Sequence, residues 1–240
     1  MAVRYLPAHK LLLLLSNQAS TLGEGNAYKS SLDCPLMEEK LQVMVGVVVP
    51  KGKEFALDAF KEATKDFLGE TFTPKGTGLE AHEQRKKIIE EAKKRKVAGV
   101  LFFDCDVIPP DNVLGLINVK GDIVGGAYLG WQDMGQPKVA PCSYAHDEKG
   151  IAFIPVDVFM GDQAIAVSAT QFGCAYVKKE VYDKIKWPED VNDDIALCLE
   201  ARKQGFNVVV HTGVKCVRKT PQKDLAWPTA RVGYEFKSDQ

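Results

Sequence analysis

The run Val100-Leu101-Phe102-Phe103-Asp104-Cys105-Asp106-Val107-Ile108-Pro109-Pro110 passes from purely apolar side chains to two carboxylates and is closed by two prolines. A continuous apolar run bounded by a breaker reads as a central strand buried on both faces. Residues two apart on an extended chain point the same way, so Asp104 and Asp106 can reach one point. Ligands of open α/β sheets sit at the carboxyl ends of the strands, and two hard oxygen donors there suit Mg²⁺ or Mn²⁺ with substrate phosphates completing the shell. The alternative is a plain turn, since Asp is common at turn starts.

The rest of the chain is read outward from this strand. Its 240 residues suffice for one domain with an appendage. The 31 basic and 32 acidic residues leave a net charge of −1, which gives no bulk attraction to nucleic acid or to an anionic membrane. The six cysteines (Cys34, Cys105, Cys142, Cys174, Cys198, Cys216) form no CxxC pair and no Cys/His cluster. They read as reduced thiols of an intracellular protein without structural zinc. Leu11–Leu15 is too short for a transmembrane segment and short for a signal core, so a docking helix is expected there. Residues 1–40 are accordingly taken as an amino-terminal arm or short docking helix, 41–220 as the main domain and 221–240 as a tail.

Within the main domain, Gln42–Pro50 reads as a first buried strand, followed by a Lys51-Gly52-Lys53 turn. Phe55, Ala59, Phe60, Ala63 and Phe67 recur at helical spacing. Glu80–Lys96 is a charged helix with an apolar stripe of Ala81, Ile88, Ile89 and Ala92. Arg85 falls on that stripe. Because this helix feeds the central strand, its amino-terminal end belongs at the sheet's carboxyl edge, near Asp104 and Asp106. An inward arginine there suits a phosphate oxygen, or equally a salt bridge to one of the aspartates.

Val113–Val119 reads as a helix and Asp122–Tyr128 as a strand. Gly125 and Gly126 leave room for a ligand or a second backbone. Residues 129–150 read as a long functional loop, with Tyr128, Trp131 and Tyr144 able to stack on a sugar face or to pack beneath the loop. Ile151–Phe159 and Ala164–Ala169 read as strands, and Gln171–Ile185 as a strand entering a short helix. A second acidic cluster, Glu189-Asp190-Val191-Asn192-Asp193-Asp194, precedes a helix over Ile195–Gln204. Asn192 suits its N-cap, and Asp193 and Asp194 complement its dipole without any chemistry being needed. A strand Phe206–Val210 follows.

Four of these segments, in order, resemble motifs of the GT-A glycosyltransferases, particularly family 2-like enzymes and their viral and metagenomic relatives. Leu101–Pro110 resembles the DxD strand end, Asp122–Tyr128 the strand that follows it, and Phe172–Val181 the glycine-containing strand beside the acceptor pocket. Asn192–Phe206 resembles the acidic helix start called the ED motif. The resemblance covers roughly residues 41–220. It implies an α/β, GT-A type, Rossmann-like fold with a mainly parallel central sheet flanked by helices. It also implies transfer of a sugar from a nucleotide-diphospho-sugar such as a UDP- or GDP-sugar to an acceptor hydroxyl. With the cysteines read as reduced, the expected location is cytoplasmic, that of a host if the chain is viral.

Carried over by residue, Asp104 lies towards the nucleotide, and Asp106 binds Mn²⁺ or Mg²⁺ bridging the diphosphate. Arg85 sits beside the nucleotide, Pro50 and Lys51 frame the base, Asp194 is the general base and Asp193 its supporting carboxylate. The family's late histidine, often a further metal ligand, is replaced by Arg218, which can neutralise diphosphate instead. His211 lies about one strand earlier as a substitute ligand. The acceptor is open among glycan, protein, lipid-linked glycan and small molecule. Two other readings stay open: a haloacid-dehalogenase-like phosphatase with Asp104 as nucleophile, and a nucleotide- or carbohydrate-binding module without turnover.

Overall fold

The computed structural model describes residues 4–5, 42–75, 79–133, 137–147, 150–189 and 192–228; the docking helix expected at Leu11–Leu15 lies outside them. After a two-residue strand β1 (Arg4–Tyr5), the elements are β2 (Val43–Val48), α1 (Leu57–Thr64), β3 (Thr71–Phe72), α2 (Ala81–Arg95), β4 (Gly99–Asp104) and β5 (Val107–Ile108). A 3-10 helix over Asp111–Asn118 precedes β6 (Ile123–Ala127), β7 (Leu129–Asp133), β8 (Pro137–Pro141), β9 (Ser143–Asp147) and β10 (Gly150–Phe153). The chain continues through β11 (Ala164–Ala166), β12 (Ala169–Thr170), β13 (Cys174–Lys178), α3 (Lys179–Lys184), α4 (Asp193–Lys203), β14 (Val208–Lys215) and β15 (Val217–Arg218).

The central strand is what its sequence predicts. Val100 and Phe102 enter the core on one face, with Ile88, Ile89 and Ala92 of α2 and Leu197 and Ala201 of α4. Leu101 and Phe103 enter a second core on the other face, with Phe60 of α1 and Val113 and Leu116 of the 3-10 helix. All four β4 side chains are fully buried. Burying each is worth about 1.5–3 kcal/mol, which makes this strand the anchor of both layers.

The expected mainly parallel sheet does not form. The seven-stranded order is β11-β14-β6-β13-β4-β2-β3. Three neighbouring pairs are parallel and three antiparallel. Two of the reversals come from β13, which slots between β4 and β6 against the direction of both, and the third from the edge strand β11 against β14. Apolar patterning reports burial and carries no information about strand direction. The class remains α/β, with a mixed sheet between helical layers.

Three further expectations change. The buried side of α1 and its 3-10 lead-in is Ala56, Phe60 and Thr64, while Phe55 is half exposed. The 3-10 entry at Glu54–Ala56 shifts the helical phase away from Phe55. The long loop expected over 129–150 instead contains a hairpin of β7 and β8, with Trp131 opposite Val139, followed by β9, which pairs with β10 and β12. Ile151–Phe159 is not one strand: β10 ends at Phe153, and Val156–Phe159 is a 3-10 turn opened at Pro155. At the other end of the chain, Leu225 bridges to Arg218, and the Trp227 ring stacks on Phe159.

Gly125 and Gly126 admit neighbouring side chains. A Cβ at Gly125 would meet the Thr170 side chain at 2.7 Å, and one at Gly126 would meet Cys174 Sγ at 2.7 Å. Gly46 brings α2 against β2 in the same way, its missing Cβ lying 2.6 Å from Ile88 Cγ2. Gly46→Ala therefore overpacks a stiff, fully buried side chain and should cost about 1–3 kcal/mol. Combined with Ile88→Ala, the two losses should be less than additive in a urea-denaturation double-mutant cycle, because the new methyl fills part of the cavity.

Candidate functional site

Four strands, β2, β4, β6 and β14, end at one edge of the sheet, and the antiparallel β13 begins there. That topology gathers Pro50 to Lys53 after β2, Asp104 and Asp106 at the end of β4, Tyr128 after β6, Gly173 before β13 and Arg218 after β14. The amino-terminal parts of α2 and α4 add Arg85 and the Asp193–Asp194 pair. A capping box between Glu80 and Glu83 starts α2. Gln84 pins the helix to the strand end by accepting from the Val49 N–H at 3.0 Å and donating to the Val49 carbonyl at 2.7 Å.

Arg85 is the centre of the acidic cluster. Its Nη1 donates to Asp193 Oδ1 at 2.7 Å and its Nη2 to Asp104 Oδ1 at 2.9 Å, while Asp194 Oδ2 stands 3.8 Å from Nη1. Burial alone would lower the guanidinium's pKa, but Asp104, Asp194 and Asp193 outweigh it and hold the group charged. Arg85 thus makes the expected salt bridge to Asp104 and adds Asp193 and Asp194 to it.

Asp193 is fully buried, and its second oxygen accepts from Trp187 Nε1 at 2.8 Å. It positions Arg85. Asp194 keeps a small exposed surface; its Oδ2 accepts from the Phe172 N–H at 3.0 Å and its Oδ1 from the Ile195 N–H at 2.8 Å. Burial pushes its pKa up to about 6 despite Arg85, with Asp193 adding to the rise.

Asp106 lies in a second, positively biased group. It is fully buried, and its Oδ2 accepts from Arg218 Nε at 3.0 Å with Lys53 Nζ 3.4 Å away. Pairing of β15 with β5, and the Lys219 N–H donating to the Asp106 carbonyl at 2.7 Å, fix the chain around it. The Arg218 guanidinium lies over the Tyr128 ring, 5.8 Å from its centroid. Tyr128 is itself buried, and its hydroxyl accepts the Gly173 N–H at 3.0 Å. Tyr128 therefore supports Arg218 from below. Tyr144 is also buried and accepts from Gln171 Nε2. Of the three aromatics read as sugar platforms, only Trp131 is open, at 58 % exposure.

Other expected residues fall elsewhere. Lys51 is exposed and lies 3.9 Å from Glu80, not against the aspartates. The Lys53 N–H donates to the Pro50 carbonyl at 2.9 Å and Gly52 has φ +79°, so the tight turn brings Lys53 back to the strand end. Lys53, which was not among the residues expected at the site, is thereby the lysine that reaches Asp106. His211 accepts the Gly213 N–H on Nδ1 and faces Asp162 at 3.7 Å. Cys105, between the two aspartates, is pushed up to about 12 by burial and then Asp106, so it stays a thiol.

The divalent cation implied by the resemblance fits these residues poorly. Asp106 Oδ1 has no hydrogen-bond partner but is sealed from solvent. A cation that keeps several waters cannot reach it, and at Oδ2 it would meet Arg218 and Lys53 as like charges. Among the described residues no cluster of three or more His, Cys, Asp or Glu side chains could hold a metal ion.

No protein-family model matches the chain, and no curated protein matches it. Among solved structures it is similar to A197 from STIV, at 15 % identity and a TM-score of 0.49, over 81 % of this chain and 99 % of that one. It is also similar to GalNAc-T7 crystallised with UDP, GalNAc and Mn²⁺, at 10 % identity and a TM-score of 0.45; the match covers 90 % of this chain but only 53 % of the other. A nucleoside-diphosphate-sugar pyrophosphorylase from Vibrio cholerae RC9 matches at 17 % identity and a TM-score of 0.38, over 71 % of this chain and 72 % of that one. Likenesses this distant carry no argument about activity.

Two outcomes test the cluster. Arg85→Met strands three carboxylates, so unfolding in urea should show a loss of about 3–5 kcal/mol. Asp194 binds its proton more tightly folded than unfolded, so its contribution to stability is present below its ordinary value of 3.8 and lost as pH rises through about 6. Asp194→Asn abolishes that term, and the stability gap between the two proteins should move in the variant's favour across that window.

Proposed function

We propose that the chain is a GT-A type glycosyltransferase that moves a sugar from a nucleotide-diphospho-sugar to an acceptor hydroxyl. The observation that carries the reading is the pairing, at one sheet edge, of a partly accessible carboxylate with a raised pKa and a cation pair at the strand end. Asp194 takes the base role. With a pKa near 6 it is ionised at neutral pH yet more basic than an ordinary aspartate, which suits removal of a proton from an alcohol. Its oxygens each accept one backbone N–H, which fixes the carboxylate while leaving lone-pair capacity for a substrate hydroxyl.

The departing nucleoside diphosphate gains negative charge, and cations at the β4 end stabilise it. Both terminal nitrogens of Arg85 are taken up by aspartates, so its part is to hold Asp104, Asp193 and Asp194 in one arrangement. Asp104 retains a small exposed surface at the strand end, and its proposed part is to accept from a donor hydroxyl.

A transfer assay with UDP- and GDP-sugars and a panel of sugar and alcohol acceptors tests this reading. Transfer should be found for one donor, with kcat/KM rising as pH increases through about 6. Asp194→Asn should lower kcat about 10²–10⁴-fold with little change in donor binding. Phosphate release from simple phosphomonoesters without any glycosyl transfer would replace this reading with the phosphatase. Full rate in the Asn variant would remove Asp194 from the chemistry.

A further inference from the structure

We propose that Arg218 and Lys53, packed on Asp106, form a binding site for a diphosphate group that works without a divalent cation. The inference rests on the transferase reading only for the identity of the larger ligand; the site itself is defined by its own charges. Asp106 contributes one negative charge, and the two side chains beside its Oδ2 contribute two positive ones. The surplus positive charge stands at the carboxyl edge of the sheet, where ligands of such folds bind. The acidic cluster around Arg85 has the opposite bias, three carboxylates to one guanidinium. An anion is therefore drawn to the Asp106 side and repelled from the Asp194 side.

The two cations differ from Arg85 in what remains available. Arg85 spends both terminal nitrogens on aspartates and is buried. Arg218 spends Nε on Asp106 and its face on Tyr128, and among the described residues its two terminal nitrogens have no protein partner. They stay in reach of solvent, and the side chain is 20 % exposed. Lys53 is 30 % exposed, and its backbone carbonyl accepts the Cys105 Sγ–H at 3.3 Å, tying the turn to the strand end. A guanidinium edge beside an ammonium matches two neighbouring phosphate groups, the arginine through two N–H donors and the lysine as a point charge. The fixed stack on Tyr128 and the bond to Asp106 pre-orient the fork, so little rotamer freedom is lost on binding.

Calorimetric titration of the full chain with inorganic pyrophosphate, UDP and GDP, in EDTA and again in Mn²⁺, tests the site. Binding should occur in EDTA and change by no more than about twofold on adding Mn²⁺. Lys53→Gln alters a part-exposed side chain and leaves Arg218 on Asp106, and Arg218→Lys keeps the charge while losing the fork; thermal melts confirm that both fold. Each should weaken binding about tenfold or more, as expected when a charge or a bidentate contact to phosphate is lost. Binding that appears only with Mn²⁺, or that neither substitution weakens, overturns the inference while leaving the transferase reading standing. Metal-free pyrophosphate binding lost in both variants, with UDP and GDP binding no tighter, upholds the site and removes the nucleotide-sugar donor. No binding of any probe in either medium overturns both.

Discussion

One guanidinium holds the candidate site together. Arg85 lies within 3.8 Å of three aspartates contributed by β4 and α4, segments far apart in the chain. Buried carboxylates this close repel one another, and each costs several kcal/mol to take out of water, about the scale seen for buried ions generally. Only a cation shared among them makes the cluster compatible with a folded chain. The same contact sets the chemistry of Asp194. Burial raises the pKa of Asp194 to about 6, because Arg85, hydrogen-bonded to Asp104 and Asp193 but only near Asp194, lowers it too little to cancel the rise.

The sheet makes this arrangement possible by bringing the ends of four strands to one edge. The reversed strand β13 is part of it, because its leading residues Phe172 and Gly173 hand backbone N–H groups to Asp194 and Tyr128. In a sheet with a parallel strand in that slot, the carboxyl end of a strand would stand there. The reversal that departs from the expected topology thus supplies donors to both halves of the site: one to the base candidate, one to the ring that carries Arg218.

The two halves are electrostatically unlike. Around Arg85 negative charge is in excess, and around Asp106 positive charge is in excess. A reaction that removes a proton at one point and collects negative charge at another is served by that separation. The folded state carries the cost in Asp106, whose Oδ1 is buried without a hydrogen-bond partner. Attraction to Arg218 and Lys53 through the other oxygen offsets it.

Much of this was legible in the linear chain. The apolar run of β4, the carboxylates at its end, the helical stripe that includes Arg85 and the acidic start of α4 follow from local patterning, because burial imposes a period that the sequence must carry. Arg85 near Asp104 was legible too, since a helix feeding a strand must begin at that strand's far edge. The direction of β13, the phase of α1 and the hairpin in place of a loop were not, as each depends on which neighbour a segment packs against. Neither was the approach of Lys53 to Asp106, which a turn geometry decides, nor the occupation of Asp106 by cations over a hundred residues apart in the chain. The sequence by itself determined which residues carry charge into the core. Only the tertiary structure decided which opposite charges they meet, because electrostatic partners are set by distance in space and leave no period along the chain.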